Sequence, residues 1–157
     1  MIYVGYQGIG KSSLASKDTG YIDLESGNLW YKNEDGEDRR DSHWYKLYVN
    51  FAIHLAEQGY NVFVSSHKIV REELNKRGAD FVVICTDKSL KDEWLTKLHI
   101  RYMVTDKIKD YKAYMNAKEM FDENIDDLMQ EKHVHLIKDK DYILQNEIKM
   151  FYTNYES

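Results

Sequence analysis

Residues 5–12 read Gly5-Tyr6-Gln7-Gly8-Ile9-Gly10-Lys11-Ser12 and match the pattern G-x-x-x-x-G-K-[ST]. The residues before them, Met1-Ile2-Tyr3-Val4, are apolar and favour a strand, while the stretch Lys11–Lys17 favours the first turns of a helix. A strand, a glycine-rich turn and a helix, in this order, are the context that the pattern requires. Residues 5–12, which we name the glycine loop, therefore predict a nucleoside triphosphate site.

The glycines of this loop explain how it would bind phosphate. They permit positive φ angles, and they let backbone N–H groups approach an anion without a β-carbon in the way. The start of the following helix adds N–H groups and the positive end of its dipole. The predicted nucleotide-binding residues are Gly5, Gln7, Gly8, Ile9, Gly10, Lys11, Ser12 and Ser13. Lys11 would reach the β and γ phosphates, and Ser12 would be a ligand of Mg²⁺, so ATP and Mg²⁺ are the expected cofactors.

Length and composition narrow the choice of protein class. The chain has 157 residues and a formal net charge of -5, which predicts one domain covering residues 1–157. The sequence has no long basic block of the kind that would indicate a nucleic-acid surface. No apolar run approaches the roughly 18 residues of a membrane span, and the first residues resemble a core strand more than a signal peptide. We expect a cytoplasmic protein in which Cys85, within an apolar run, is buried.

Strand-like and helix-like segments alternate after the glycine loop. The predicted strands are 21–25, 61–66, 81–86 and 134–137, and the predicted helices are 44–58 with Ser42 as N-cap, 70–77, 90–98, 107–131 and 141–154. Residues 32–43 are nearly all polar and predict a mobile loop. The alternation predicts a three-layer α/β fold, in which a mainly parallel five-stranded sheet lies between helices. The glycine loop would lie at the carboxyl ends of the strands.

Further motifs separate the classes of protein that carry such a loop. The Asn/Thr-Lys-x-Asp and Asp-x-x-Gly motifs of GTPases are absent, and the third predicted strand ends in Ser65-Ser66-His67, where a motor ATPase has Asp-Glu. The element order resembles the nucleoside and nucleotide kinase branch of P-loop proteins, close to nucleoside monophosphate kinases and to small-acceptor kinases such as shikimate kinase. The resemblance covers nearly the whole chain in layout, and its residues are Gly5 to Ser13, Asp23-x-Glu25, the polar insert with Arg39 and Arg40, and Arg101. Bacteriophage kinase-like proteins are similar, and the lack of proline fits an AT-rich genome.

The resemblance implies roles for several charged residues. A lid around residues 100–120 would carry Arg101 to the transition-state oxygens, and an insert around residues 28–43 would bind the acceptor. Arg39, Arg40 and Arg71 would contact an acidic acceptor such as a nucleoside monophosphate. Asp23 is predicted at the carboxyl end of a strand, where it would hold Mg²⁺ through water, deprotonate an acceptor hydroxyl, or cap a turn.

The third predicted strand departs from the kinase pattern. Many relatives place an acidic, Mg²⁺-associated residue where this chain has Ser65-Ser66-His67, so either Asp23 and Glu25 supply the carboxylate or catalysis is weak. The sequence therefore leaves three functions open: a kinase that phosphorylates a nucleoside monophosphate or deoxynucleotide, a nucleotide-binding regulatory protein without efficient transfer, and a slow NTPase. The aromatic residues Trp30, Tyr31 and Trp44 would either stack on a base or pack a helix.

Overall fold

The computed structural model of the chain describes residues 1–26, 30–32, 34–35 and 38–156, and it describes side chains except in 30–32, 38–40 and 155–156. The strands within these ranges are β1 (Ile2–Gly5), β2 (Tyr21–Asp23), β3 (Trp30–Lys32), β4 (Asp38–Arg40), β5 (Asn61–Ser65), β6 (Phe81–Thr86) and β7 (Val134–Ile137). The helices are α1 (Lys11–Lys17), α2 (Trp44–Glu57), α3 (Lys68–Lys76), α4 (Lys91–Thr105), α5 (Ile108–Leu128) and α6 (Leu144–Glu156).

Five of these strands form one sheet in the order β2-β5-β1-β6-β7. The pairs β1–β5, β2–β5 and β6–β7 are parallel. Parallel strands need crossover connections, and the helices between them in the sequence supply these connections. The α/β fold with a mainly parallel five-stranded sheet, predicted from the alternation of segments, is confirmed.

The chain folds into two compact units. Unit 1 comprises Met1–Gly5 and Ser12–Val82, and it contains the parallel strands β2, β5 and β1 in that order. Its core combines the central residues of β1 and β5 with one face of α2, namely Tyr3, Val4, Val62, Phe63, Val64, Tyr48, Val49 and Ala52. Apolar residues at every position of β1 reflect a strand that is buried on both faces.

Unit 2 comprises Tyr6–Lys11 and Val83–Ser157. Here α4 and α5 bury one apolar stripe each, formed by Trp94 and Leu98 of α4 and by Ala117, Phe121, Ile125 and Leu128 of α5. The helix α5 has non-helical angles at Met120 (φ -128°, ψ 19°), which mark a kink. Cys85 of β6 is fully buried, as its apolar neighbours predicted.

The polar segment after β2 differs from the prediction of a mobile loop. Strands β3 and β4 form an antiparallel pair in which Trp30 opposes Arg40 and Lys32 opposes Asp38. Such a hairpin escapes sequence analysis because its strands are three residues long and lack apolar alternation. This pair forms a separate two-stranded sheet.

Several helix ends also differ from the prediction, most clearly the start of α2 and the end of α4. Ser42 is not the N-cap of α2: the Asp41 carboxylate accepts a hydrogen bond from the His43 N–H at 2.7 Å, and the Ser42 hydroxyl contacts the His43 ring. The helix α4 continues to Thr105 although Met103 and Val104 are exposed. The apolar pattern that predicted this helix ends at Leu98. Beyond that residue the apolar side chains face solvent, so they do not continue the spacing of a buried face. Of the helices in the described ranges, none combines the length and the apolar character that crossing a membrane requires.

Candidate nucleotide-binding site

The glycine loop runs from the last residue of β1 to the first residues of α1. Gly8 has a φ of 88° and Gly10 a φ of 101°, in the left-handed region that favours glycine. A β-carbon built on Gly10 would have no atom within 4 Å. The space beside Gly10 is therefore open, as the approach of a phosphate group to the backbone requires.

The carbonyl groups of the loop accept hydrogen bonds from side chains of unit 2. The indole Nε1 of Trp94 donates to the Gln7 carbonyl at 2.8 Å, and the Tyr142 hydroxyl donates to the Ile9 carbonyl at 2.8 Å. The Lys97 ammonium donates to the Tyr142 hydroxyl at 2.7 Å. The sequence placed these three residues within the predicted helices 90–98 and 141–154 and indicated no role for them at the loop. No sequence motif relates these residues to the loop, because residues more than 80 positions apart meet only in the fold.

Trp94, Lys97 and Tyr142 also contact one another. The rings of Trp94 and Tyr142 stack at a centroid distance of 5.7 Å and an interplanar angle of 13°. The Lys97 Nζ lies 4.4 Å from the Trp94 ring centroid and 4.8 Å from that of Tyr142, in cation–π geometry. Desolvation in this setting lowers the pKa of Lys97, and the nearby charge of Arg101 lowers it further.

The first half of the loop is tightly packed within unit 2. The Tyr6 N–H donates to the Ile84 carbonyl at 3.0 Å, and the Tyr6 ring packs edge-on against Phe121. A β-carbon on Gly8 would lie 3.0 Å from both the Leu98 Cδ2 and the Trp94 Nε1. Position 8 thus requires glycine both because of its φ angle and because Leu98 and Trp94 leave no room for a side chain. Position 10 requires glycine because of its φ angle alone.

The start of α1 presents the predicted Mg²⁺ ligand to solvent. Ser12 and Ser13 are exposed and Lys11 is partly exposed. Among the described residues, no cluster of three or more His, Cys, Asp or Glu side chains is placed to hold a metal ion. Mg²⁺ in proteins commonly keeps several waters and takes one or two protein oxygens together with phosphate oxygens. The hydroxyl of Ser12 and the carboxylate of Asp23 are donors of this kind.

Asp23 is the last residue of β2 and is paired in register with Phe63 of β5. The neighbouring tyrosine Tyr48 ties the two strand ends together: its hydroxyl donates to the Leu24 carbonyl at 2.6 Å and accepts from the Ser65 N–H at 2.9 Å. Burial raises the pKa of Tyr48, and the charges of Asp23 and Glu25 raise it further. The hydroxyl therefore keeps its proton and fixes the backbone beside Asp23, a role that the sequence did not indicate.

The turn after β5 is held by its own side chains. The His67 Nδ1 lies 2.8 Å from the Ser65 Oγ, and the His67 ring packs edge-on against Trp44 at 5.7 Å. Arg71 is only 4% exposed, and its Nε donates to the Ser66 carbonyl at 3.1 Å. Trp44 also packs against Tyr48. The side chains of Arg39, Arg40, Trp30 and Tyr31, which the sequence also selected, lie outside the described residues.

Arg101 lies on α4 and forms an ion pair with the start of α5. Its Nε donates to the Asp110 Oδ1 at 2.9 Å, and the other carboxylate oxygen accepts a short hydrogen bond from Thr105. Asp110 is buried, whereas the Arg101 side chain is 45% exposed. Burial alone would raise the pKa of Asp110, but the Thr105 hydrogen bond and the Arg101 charge together hold that pKa below its usual range.

Comparison with known proteins shows a likeness in fold. No family model and no curated protein sequence matches the chain. The fold is similar to that of a shikimate kinase from Bacteroides thetaiotaomicron, with a TM-score of 0.57 and 16% sequence identity over 99% of this chain and 97% of that chain. With the parallel sheet and the glycine loop, this likeness shows that the chain has a P-loop kinase-like fold.

Proposed function

We propose that this protein is an ATP- and Mg²⁺-dependent phosphotransferase that moves the γ-phosphoryl group of ATP to a small acceptor, namely a nucleoside monophosphate or deoxynucleotide. One observation carries the proposal: the left-handed glycines Gly8 and Gly10 stand between a strand and a helix of a P-loop kinase-like fold, with open space beside Gly10. Backbone N–H groups at such glycines can approach a polyphosphate closely.

Phosphoryl transfer requires positive charge around the moving group more than covalent chemistry from the protein. In our proposal Lys11 contacts the β and γ phosphates and Ser12 is a ligand of Mg²⁺, an ion that neutralises charge on the phosphate oxygens when bound. Asp23 holds the ion through water, and it would act as a base only toward a hydroxyl acceptor, because the attacking oxygen of a nucleoside monophosphate belongs to a phosphate and needs no base. A bond forms between the acceptor oxygen and the γ-phosphorus as the bond to the bridging oxygen breaks, and ADP leaves.

Arg101 is our candidate for stabilising the transition-state oxygens. Residues 94, 98 and 101 follow each other at intervals of four and three on α4, so they share one helix face. Trp94 donates to the loop carbonyl of Gln7, and Leu98 lies against Gly8. Arg101 lies about one helical turn, or roughly 5 Å, beyond Leu98 on this face. Its long side chain could span that distance, which supports a role beside the phosphates.

The acceptor would bind through arginines near the carboxyl ends of β2 and β5. We assign Arg39 and Arg40 of the insert around residues 28–43 to the acidic group of the acceptor. Arg71 is buried and donates a hydrogen bond to the Ser66 carbonyl. We therefore propose that Arg71 shapes the acceptor pocket by holding this backbone segment in place. The segment around residues 100–120, which contains Arg101, would close over the reacting groups as a lid.

The test is to incubate the purified protein with MgATP and a panel of acceptors, and to follow ADP, phosphate and phosphorylated product. The panel contains nucleoside monophosphates, their deoxy forms and shikimate, because the similar structure is a shikimate kinase. ADP formation that depends on one acceptor would support the proposal. Lys11→Ala should lower this rate by about 100-fold or more, since it removes a preorganised charged donor.

Lys17→Ala is the matched control, because Lys17 is an exposed lysine at the other end of α1. Its activity should equal that of the wild type. Unchanged ATP affinity and unchanged activity in Lys11→Ala would reject the role of the glycine loop.

A second function has one observation in its favour. The turn after β5 carries Ser65, Ser66 and His67 instead of an acidic residue, and His67 contacts Ser65 and Trp44. A protein without efficient transfer would bind ATP tightly and produce no ADP with any acceptor, which would indicate a nucleotide-binding regulatory protein. Phosphate release at the same rate with and without acceptor would indicate an NTPase.

A further inference from the structure

The hydrogen bonds of Tyr142 have a fixed direction. A lysine ammonium donates and does not accept, whereas a phenol has one proton and can also accept. The Lys97 Nζ, at 2.7 Å, must therefore donate to the Tyr142 oxygen. Tyr142 must donate its own proton to the loop backbone, chiefly to the Ile9 carbonyl at 2.8 Å and more weakly to the Gly8 carbonyl at 3.4 Å. Burial raises the pKa of Tyr142, with a smaller contribution from the charge of Glu147, so the proton is retained at neutral pH. The chain of donors runs from Lys97 through Tyr142 to the loop backbone.

Each of these hydrogen bonds to a carbonyl also sets the direction of the N–H group in the same peptide unit. All described peptide bonds are trans, and in a planar trans peptide the C=O and the following N–H point in opposite directions. Trp94 holds the Gln7 carbonyl and so sets the direction of the Gly8 N–H. Tyr142 holds the Ile9 carbonyl and so sets the direction of the Gly10 N–H.

The two N–H groups are available to a ligand. Within the described part of the chain, neither the Gly8 N–H nor the Gly10 N–H donates to another protein group. Backbone donors are seldom left unpaired, and they are usually bonded to protein, water or ligand. The space beside Gly10 is open, so an anion can approach these donors.

We propose that Trp94, Tyr142 and Lys97 form a carbonyl clamp, a set of positioning residues that directs the Gly8 and Gly10 N–H groups toward the phosphates before nucleotide binds. This inference rests on the proposed function, because it concerns the same loop. Donation to a carbonyl polarises its peptide group and strengthens the N–H as a donor. The cation of Lys97, held against both rings, adds to this polarisation.

The experiment measures the affinity of wild type, Tyr142→Phe, Trp94→Phe and Lys97→Met for inorganic tripolyphosphate, MgATP and adenosine. Tyr142→Phe removes one hydroxyl and keeps the ring that stacks on Trp94. Loss of one such hydrogen bond should weaken tripolyphosphate and MgATP binding by about five-fold each. Adenosine affinity should stay unchanged, because adenosine carries no phosphate. Tyr60→Phe is the control, since Tyr60 is exposed and its carbonyl holds the amino terminus, at the opposite end of β1 from the loop.

A second readout is the amide spectrum of protein labelled with ¹⁵N-glycine, which follows Gly8 and Gly10 directly. In Tyr142→Phe we expect the Gly10 amide resonance to shift and the Gly59 resonance to stay in place, because only the Gly10 amide follows a carbonyl that Tyr142 holds. Phosphate affinities equal to those of the wild type in both Tyr142→Phe and Trp94→Phe would overturn the clamp while leaving the proposed function intact. Equal losses for adenosine and tripolyphosphate would also overturn it, since they indicate general damage. A wild type that binds no phosphate compound would reject the proposed function and the clamp together.

Discussion

At the scale of single residues, Gly8 is the most constrained position of the loop. Its φ of 88° disfavours any side chain, and a β-carbon there would lie 3.0 Å from Leu98 and Trp94. We expect Gly8→Ala to lower the free energy of unfolding by about 2–4 kcal/mol, of which about 1 kcal/mol comes from the backbone and the remainder from overpacking. Chemical denaturation monitored by Trp fluorescence measures this change.

The control for Gly8→Ala is Gly59→Ala, because Gly59 has a similar φ of 96° and no atom within 4 Å of a built β-carbon. This variant should lose only the backbone part, about 1 kcal/mol. Equal losses in the two variants would show that packing around Gly8 is unimportant.

A second prediction about a single residue concerns Arg101, our candidate for stabilising the transition-state oxygens. We expect Arg101→Ala to lower turnover by about 100-fold while changing ATP affinity by less than about three-fold, since a donor that acts on transition-state charge contributes little to ground-state binding. Arg101→Lys keeps the charge and should retain part of the activity. Steady-state kinetics together with a separate ATP titration measure both quantities, and equal effects on both would exclude the transition-state role.

At the scale of elements, the junction of α4 and α5 depends on the Asp110 carboxylate. It receives hydrogen bonds from Arg101 and Thr105, both in the last turns of α4, while Asp110 lies in the first turn of α5. We expect Asp110→Asn to lower the free energy of unfolding at pH 7 by about 1–2 kcal/mol. This value is modest because Arg101 is 45% exposed and its pair is partly screened.

The same carboxylate predicts a pH dependence. The pKa of Asp110 is lowered in the folded protein, so its contribution to stability is complete above the unfolded pKa and is lost as the pH falls through about 4 toward the folded pKa. The difference in unfolding free energy between wild type and Asp110→Asn should therefore be largest near pH 7 and shrink toward pH 3. Urea denaturation at several pH values measures it, and a difference that grows in acid would contradict the assignment.

At the scale of the whole molecule, nucleotide binding should stabilise the fold. A ligand that binds only the folded state adds RT ln(1 + [L]/Kd), or about 2.7 kcal/mol at a hundred-fold excess over Kd. We expect MgATP to raise the melting temperature of the wild type by several degrees and to leave that of Lys11→Ala nearly unchanged. Thermal unfolding with and without EDTA separates the contribution of Mg²⁺ from that of ATP. A melting temperature that MgATP leaves unaltered in the wild type would refute nucleotide binding.

The sequence predicted the elements that local patterns encode. Apolar runs gave the strands β1, β5, β6 and β7, and the pattern in residues 5–12 gave the loop with its left-handed glycines. The hairpin of β3 and β4 was not predicted, because its strands are short and polar. The single domain, the acceptor insert and the lid stay predictions.

The sequence by itself determined the α/β class and the position of the glycine loop, because both depend on residues that are neighbours in the chain. Only the tertiary structure decided which side chains support that loop, since Trp94 and Tyr142 reach the Gln7 and Ile9 carbonyls from distant elements. Hydrogen bonds between residues far apart in sequence leave no local periodicity, so the direction of the loop amides is a property of the fold.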